Sequence, residues 1–259
     1  DLSYGNIIYL TQDTDGSETT VGFASTSPAE QITILRNPDT SSTSSENWNI
    51  SYSTGGVDFD QTGDYLNTTS SSSDFTMGTG DFTVECWVYM RSVSVGIING
   101  FWQISSTSGG LQTSSYGDTL AVAWDNTVGW QTYGAGTWTA SMSPAAATNT
   151  WYHTAYVRSS GTSKLYINGT AVISQADTNN YNGTYMAIGG YYSTNYLMGG
   201  VISNLRVVKG TAVYTGNFTP PTAELTSITN TKLLCCNNSS ASGATVTPNT
   251  ITATNSAAA

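Results

Sequence analysis

The only histidine of the chain stands in WYHTAYVRSSGTSKLYINGTAV (151–172), and the nearest approach to a carboxylate pair is Asp58 with Asp60 or Asp81 with Glu85. An imidazole works as a general base only when a neighbour orients it and a nucleophile lies within reach. In an extended segment His153 shares its parity with Trp151, Ala155 and Val157, an aliphatic and aromatic row, and no Ser or Asp lies at an orienting spacing. His153 is therefore expected to be structural, in the dry interior of the fold. Glycoside hydrolysis needs two carboxyl groups across a cleft, about 5 Å or 6.5–9.5 Å apart. Asp58 and Asp60 share one strand face and Asp81 and Glu85 bracket a strand start, which are structural placements. With no nucleophile elbow, phosphate loop or metal-binding His cluster, the chain is expected not to be an enzyme and to have no catalytic residues.

Flat rings offer a different chemistry. Trp124, Trp130, Tyr133 and Trp138 surround one hairpin, TVGWQTYGAGTWTAS (127–141), beside Asp125, Asn126 and Gln131. Rings stack on the C–H faces of sugars while amides and carboxylates take hydroxyls, so these four aromatics are the candidate glycan-binding residues. The alternative is that they fill the core, because alternating Trp and Tyr are ordinary strand formers. Tyr191, Tyr192 and Tyr196 are read as loop aromatics or as a contact between subunits.

The elements that position these residues are strands. Apolar residues recur at every second position and Gly or Ser-Gly clusters interrupt them about every ten residues, the rhythm of a β-sandwich. In DFTVECWVYM (81–90), Phe82, Val84, Cys86 and Val88 form one row and Thr83, Glu85, Trp87 and Tyr89 the other. In GGVISNLRVVKG (199–210), Val201, Ser203, Leu205 and Val207 alternate with Ile202, Asn204, Arg206 and Val208. Asn168-Gly169 predicts a tight hairpin turn with positive φ at both central residues.

Residues 1–46 read as an N-terminal arm of short strands (GNIIYLTQ, ETTVGFA, QITILRN) with a Ser/Thr linker, too small for a core of its own. Residues 47–236 read as the sandwich, and 237–259 as a Ser/Thr/Ala-rich linker or tail with few bulky side chains. The expected fold class is thus all-β: a two-sheet antiparallel jelly-roll sandwich with a strand-rich N-terminal arm and an extended C-terminal tail.

Composition limits the partners. Only 9% of the 259 residues are charged, and 17 acidic against 7 basic side chains give a net charge of −10. Such a chain repels phosphate backbones and anionic lipid surfaces, so nucleic acid and membranes are not expected partners. Residues 1–10 lack the basic start and apolar run of a secretory signal, and the absence of an initiator Met suggests a processed, trimmed or excerpted chain. Three cysteines, two of them adjacent at Cys235 and Cys236, match no metal or redox spacing and read as small buried residues.

Residues 56–236 resemble the laminin-G-like branch of the concanavalin A-like lectin and glucanase superfamily, through GVDFDQTGDYL, FTMGTGDFTVECWVYM, TWYHTAYVRSSGTSKLYINGTAV, MAIGG and GGVISNLRVVKG in that order. The resemblance implies a two-sheet jelly roll. The closely spaced E-x-D-x-x-E of the superfamily's glucanases is absent from the sequence. Some relatives hold calcium near the sandwich edge, which by position implies Asp60 and Asn204 here, although many relatives carry an acid where Asn204 stands. No other cofactor is implied. The ending, TAVYTGNFTPPTAELTSITNTKLLCC followed by ATVTPNTITA, is similar to the tails of such domains in structural proteins of marine tailed phages, especially those of cyanobacteria.

A fold of this kind hosts lectins, glycosidases, adhesion modules and spacers, so function has to come from the site. The expectation is a non-enzymatic structural or adhesion protein on a virion surface, in a tail, fibre or capsid decoration, exposed to the extracellular medium. Its partners would be other virion proteins or copies of itself, together with neutral host-surface glycans. The competing expectation is a carbohydrate-binding module of a secreted hydrolase or bacterial surface adhesin.

Overall fold

The computed structural model describes residues 8–11, 49–52, 55–94, 96, 98–108, 119–134, 137–190, 196–255 and 257. Two short strands of the N-terminal region, β1 (Ile8–Thr11) and β2 (Asn49–Tyr52), pair antiparallel with each other. The segments ETTVGFA and QITILRN, expected as strands, lie outside the described residues, as does the Ser/Thr linker.

Fifteen further strands follow: β3 (Val57–Asp60), β4 (Tyr65–Thr68), β5 (Phe82–Met90), β6 (Ile98–Ser105), β7 (Leu120–Asp125), β8 (Gly129–Gly134), β9 (Thr137–Ser141) and β10 (Trp151–Ser159), then β11 (Thr162–Ile167), β12 (Thr170–Ala176), β13 (Tyr185–Ile188), β14 (Gly199–Lys209), β15 (Thr231–Cys235), β16 (Ala244–Val246) and β17 (Ile251–Thr254). The described residues contain one 3₁₀ turn and no α-helix. No described helix is long and apolar enough to cross a membrane.

The strands form two antiparallel sheets. Sheet I has eight strands in the order β12-β11-β10-β5-β14-β15-β16, with β3 also paired to β14, and sheet II has seven in the order β17-β4-β13-β6-β7-β8-β9. Every pairing is antiparallel, and the two sheets stack as a jelly-roll sandwich, in agreement with the sequence pattern. Neighbours in a sheet are often far apart in sequence, so loops cross from one layer to the other.

The alternating rows explain the layering. Phe82, Val84, Cys86 and Val88 of β5 enter the core between the sheets, as their parity requires, and meet Trp102, Ile104, Leu120 and Val122 from sheet II. All three cysteines are buried and unpaired by disulfide, with burial pushing the Cys86 thiol up to about 12.

The alternation fails in β14. Asn204 adopts φ +52° within a bulge between Ser203 and Arg206, so Ile202 and Leu205, three positions apart, both face the core. The inward row is therefore Ile202, Leu205 and Val207, whereas strict period-two reading places Ile202 opposite Leu205. Asn204 Oδ1 accepts the Leu225 amide at 2.9 Å and its Nδ2 donates to Ser203 Oγ at 2.9 Å, which ties the bulge to the loop beyond β14.

The C-terminal segment differs from the linker expected there. β16 pairs with β15 at one edge of sheet I, and β17 pairs with β4 at an edge of sheet II. Ile251 is 5% exposed and joins the inter-sheet core. Small Ser, Thr and Ala residues suffice because an edge strand borrows its hydrogen-bond partners and most of its apolar contacts from the sheet it completes.

Candidate functional site

The four aromatics of the middle hairpin separate by strand parity. Cross-strand partners Trp124 and Trp130 both point between the sheets, at 2% and 0% exposure. Trp130 packs edge-on against Trp124 and against Tyr152 of sheet I, each at 5.1 Å, and its Nε1 donates to the Pro144 carbonyl at 2.7 Å. No sugar face reaches these two rings, so their expected role as glycan contacts is corrected to core packing. The apolar face that a pyranose would cover is already covered by protein.

Tyr133 and its cross-strand partner Trp138 lie on the other face of sheet II. Their rings are 4.8 Å apart and tilted by 58°. Tyr133 is buried against Ala121 and Ala123, with Ile98 and Tyr196 alongside, whereas Trp138 is 37% exposed. Ala140 continues the outward row of β9 opposite Gln131, so the edge hairpin presents one exposed indole, backed by a phenol and flanked by an amide. Tyr191 and Tyr192 lie outside the described residues.

His153 is fully buried, but on the outer face of sheet I and not between the layers as expected. Residues 211–226, which follow β14, fold back over that face. They are fastened by the Val213 amide to Thr83 Oγ1 at 2.9 Å, the Phe218 amide to the Gly169 carbonyl at 3.0 Å and Arg206 Nη1 to the Thr226 carbonyl at 2.8 Å. Beneath this strap Glu85 Oε2 accepts His153 Nε2 at 3.2 Å and the Tyr214 hydroxyl at 2.7 Å, while Oε1 accepts Arg206 Nε at 2.9 Å and Nη2 at 2.6 Å. Burial alone raises the Glu85 carboxyl, but the His153 hydrogen bond and charge, the Arg206 charge and the Tyr214 hydroxyl outweigh it and hold the group below its ordinary range. Burial, the Glu85 charge and the bond to Glu85 push the Tyr214 phenol far above its usual value.

This cluster escapes sequence reading because its members come from three strands. Only the register, Arg206 opposite Glu85 and Ala155 opposite Glu85 on the other side, makes them neighbours. Its one legible sign is a Glu and an Arg placed in the middle of otherwise apolar strands. The Asn168-Gly169 turn has φ +48° and +77°, as its sequence predicts, and Asn168 Oδ1 accepts the His153 amide at 2.8 Å.

The carboxylates that are grouped in the sequence are engaged separately. Asp58 is held by both terminal nitrogens of Arg91 at 2.6 Å. Asp81 accepts the Ser160 amide and stands four residues from Glu85 along one strand, roughly 13 Å away. Asp60 pairs opposite Gly199, five positions along β14 from Asn204, a separation of about 16 Å that no single calcium ion bridges. Asn204 uses both side-chain atoms within the fold, and among the described residues no group of three or more His, Cys, Asp or Glu could hold a metal ion.

Two layers, a lectin-like core and an aromatic edge define the class: a lectin-like β-sandwich. The chain belongs to the concanavalin A-like lectin/glucanases superfamily, whose family profile matches residues 60–212. No curated protein matches the sequence. Among solved structures, a candidate carbohydrate binding protein from Bacteroides ovatus aligns with a TM-score of 0.56 at 13% identity, covering 86% of this chain and 64% of that one, and shares the fold. Two partial alignments have a TM-score of 0.41. One is to a heptameric SAP-like pentraxin from Limulus polyphemus, at 15% identity over 63% of this chain and 79% of that one. The other is to the CBM40 of a Ruminococcus gnavus IT-sialidase bound to α2,3-sialyllactose, at 14% identity over 53% of this chain and 80% of that one.

Proposed function

We propose that this chain is a non-enzymatic, lectin-like surface module that binds neutral glycans at the β8–β9 edge, with Trp138 as the stacking residue. The observation that carries the reading is the exposed Trp138 ring set against buried Tyr133. A ring held by a neighbour loses little freedom on binding, so stacking on a sugar is not offset by ordering cost. Gln131, beside it on β8, is only 5% exposed, so the contact rests on the indole. Glu85 is sealed under the strap with His153 and Arg206, which supports a role without bond-breaking chemistry. Display on a virion exterior, as part of a tail, fibre or capsid decoration, rests on the likeness of the ending to phage structural proteins.

A glycan array with neutral oligosaccharides tests the site. Trp138→Ala should weaken binding about tenfold or more while Trp138→Phe retains most of it. Unchanged binding in Trp138→Ala, no glycan bound at all, or release of reducing ends from any bound oligosaccharide would each refute the reading. For the virion role, deletion of residues 1–46 should abolish incorporation into particles while leaving the sandwich folded, and normal incorporation would count against it.

A further inference from the structure

We propose that a second site, on the outer face of sheet I, binds a sugar residue bearing a single acidic group. Six cationic side chains lie among the described residues, and four are paired with carboxylates: Arg91 with Asp58, Arg158 with Asp177, Arg206 with Glu85 and Lys232 with Asp74. Lys209 donates to the Ser73 carbonyl. Among the described residues Lys164 alone of these six has no hydrogen-bond or ion-pair partner, in a chain of net charge −10.

Lys164 lines a cleft of about 160 Å³. Its floor is built from cross-strand pairs of β10 and β11, Val157 with Lys164 and Ser159 with Thr162. Tyr166 closes one side, and Tyr214 and Thr215 of the strap close another. The walls are set before any ligand arrives. Tyr214 is fixed by its bond to Glu85 and by stacking on Phe218 at 3.6 Å, and Tyr166 packs edge-on against the same Phe218 ring at 5.4 Å.

Tyr166 is 1% exposed, and its hydroxyl, like that of Tyr156 in the core, is buried, so it serves the cleft as a ring wall and not as a hydrogen-bonding group.

The lining selects the ligand class. An ammonium takes a carboxylate or sulfate as a point charge, the Ser159, Thr162 and Thr215 hydroxyls donate to or accept from sugar hydroxyls, and the tyrosine rings cover ring C–H faces. The cleft is smaller than the roughly 300–1,000 Å³ of drug-sized sites, so it suits one sugar residue or its acid group. The net negative charge repels a polyanion but leaves one screened acid free to approach a lone cation. This site lies on the sheet opposite Trp138 and does not depend on glycan binding there.

Calorimetric titration of the full chain at low salt would use three disaccharides of equal size: one ending in glucuronate, one in glucose 6-sulfate, one in glucose. At least one acidic probe should bind both the native chain and Trp138→Ala, whereas any binding of the neutral probe should belong to the β8–β9 edge and vanish in Trp138→Ala. Lys164→Gln should lose about tenfold in affinity and Lys164→Arg should keep it, with Trp138→Ala unaffected. Binding of the sulfate probe alone would support the site and assign its acid to a sulfate ester. In the native sequence, NMR of the three methylated lysines should show the Lys164 resonance moving on titration while Lys209 and Lys232 stay. Equal affinity in Lys164→Gln, equal binding of the neutral probe in Trp138→Ala, a still Lys164 resonance, or no saturable binding of either acid would overturn the proposal.

Discussion

Glu85 and Arg206 meet through two nitrogens, at 2.9 and 2.6 Å, with the Glu85 side chain wholly buried and that of Arg206 7% exposed. Such a pair stabilises little relative to an apolar one, but removing one partner strands the other charge away from water. Glu85→Gln is expected to cost about 3–5 kcal/mol, read as a lower urea midpoint with an unchanged slope. The same pair sets the acid limit. The Glu85 and Asp177 carboxyls are both held below their ordinary values in the fold. For Asp177, burial opposes the shift and bonds from Ser163 and Asn179 drive it. Stability from depressed carboxylates is complete above the unfolded value, about 4, and is lost as pH falls through the folded value, because there the unfolded chain binds more protons. Urea titrations between about pH 2 and pH 6 should show stability falling with acid in that window, and falling less steeply in Glu85→Gln.

Trp130 and Trp138 stand eight residues apart on one hairpin but in different surroundings. Trp130→Ala opens a cavity between the sheets and should cost about 3–5 kcal/mol. Trp138→Ala removes a ring at the surface edge and should cost under about 1 kcal/mol. Denaturation midpoints that fail to separate the two variants would contradict the placement of Trp130 in the core.

Asn204 combines a left-handed backbone with two side-chain hydrogen bonds. Asn204→Gly loses the bonds alone, whereas Asn204→Ala loses them and also holds a Cβ at φ +52°. The alanine variant should therefore be less stable than the glycine variant by about 1 kcal/mol, the reverse of the order expected in a regular strand. Thermal melts of the two proteins side by side measure it.

Truncation after residue 239 removes β16 and β17, with buried Ile251. A linker could be cut without effect. Loss of two edge strands should lower stability by at least about 2 kcal/mol and expose the β4 edge, so the shortened chain should melt earlier and aggregate.

Much of the fold is legible because side chains alternate along a strand whatever surrounds it. The inward row of β5 and the Asn168-Gly169 turn follow from that rule and from the φ preferences of Asn and Gly. The candidate site was half legible. Periodicity marked four aromatics around one hairpin, but the two pairs, Trp124 with Trp130 and Tyr133 with Trp138, occupy opposite faces of the sheet. Alternation says which residues share a face and is silent about what covers it.

By itself, the sequence determined an all-β chain, its principal strands, its tight turns and its net negative charge, since these depend on local spacing and summed charge. Only the tertiary structure decided that a strap of residues 211–226 covers the second face of sheet I. That strap buries His153 with Glu85 and Arg206 outside the inter-sheet core and turns Tyr214 into a wall beside Lys164. Only the tertiary structure, again, made the Ser/Thr/Ala-rich ending into two edge strands. The physical reason is the same in each case: strand pairing and face coverage join residues from 68 to 185 positions apart, and no window of local sequence carries that information.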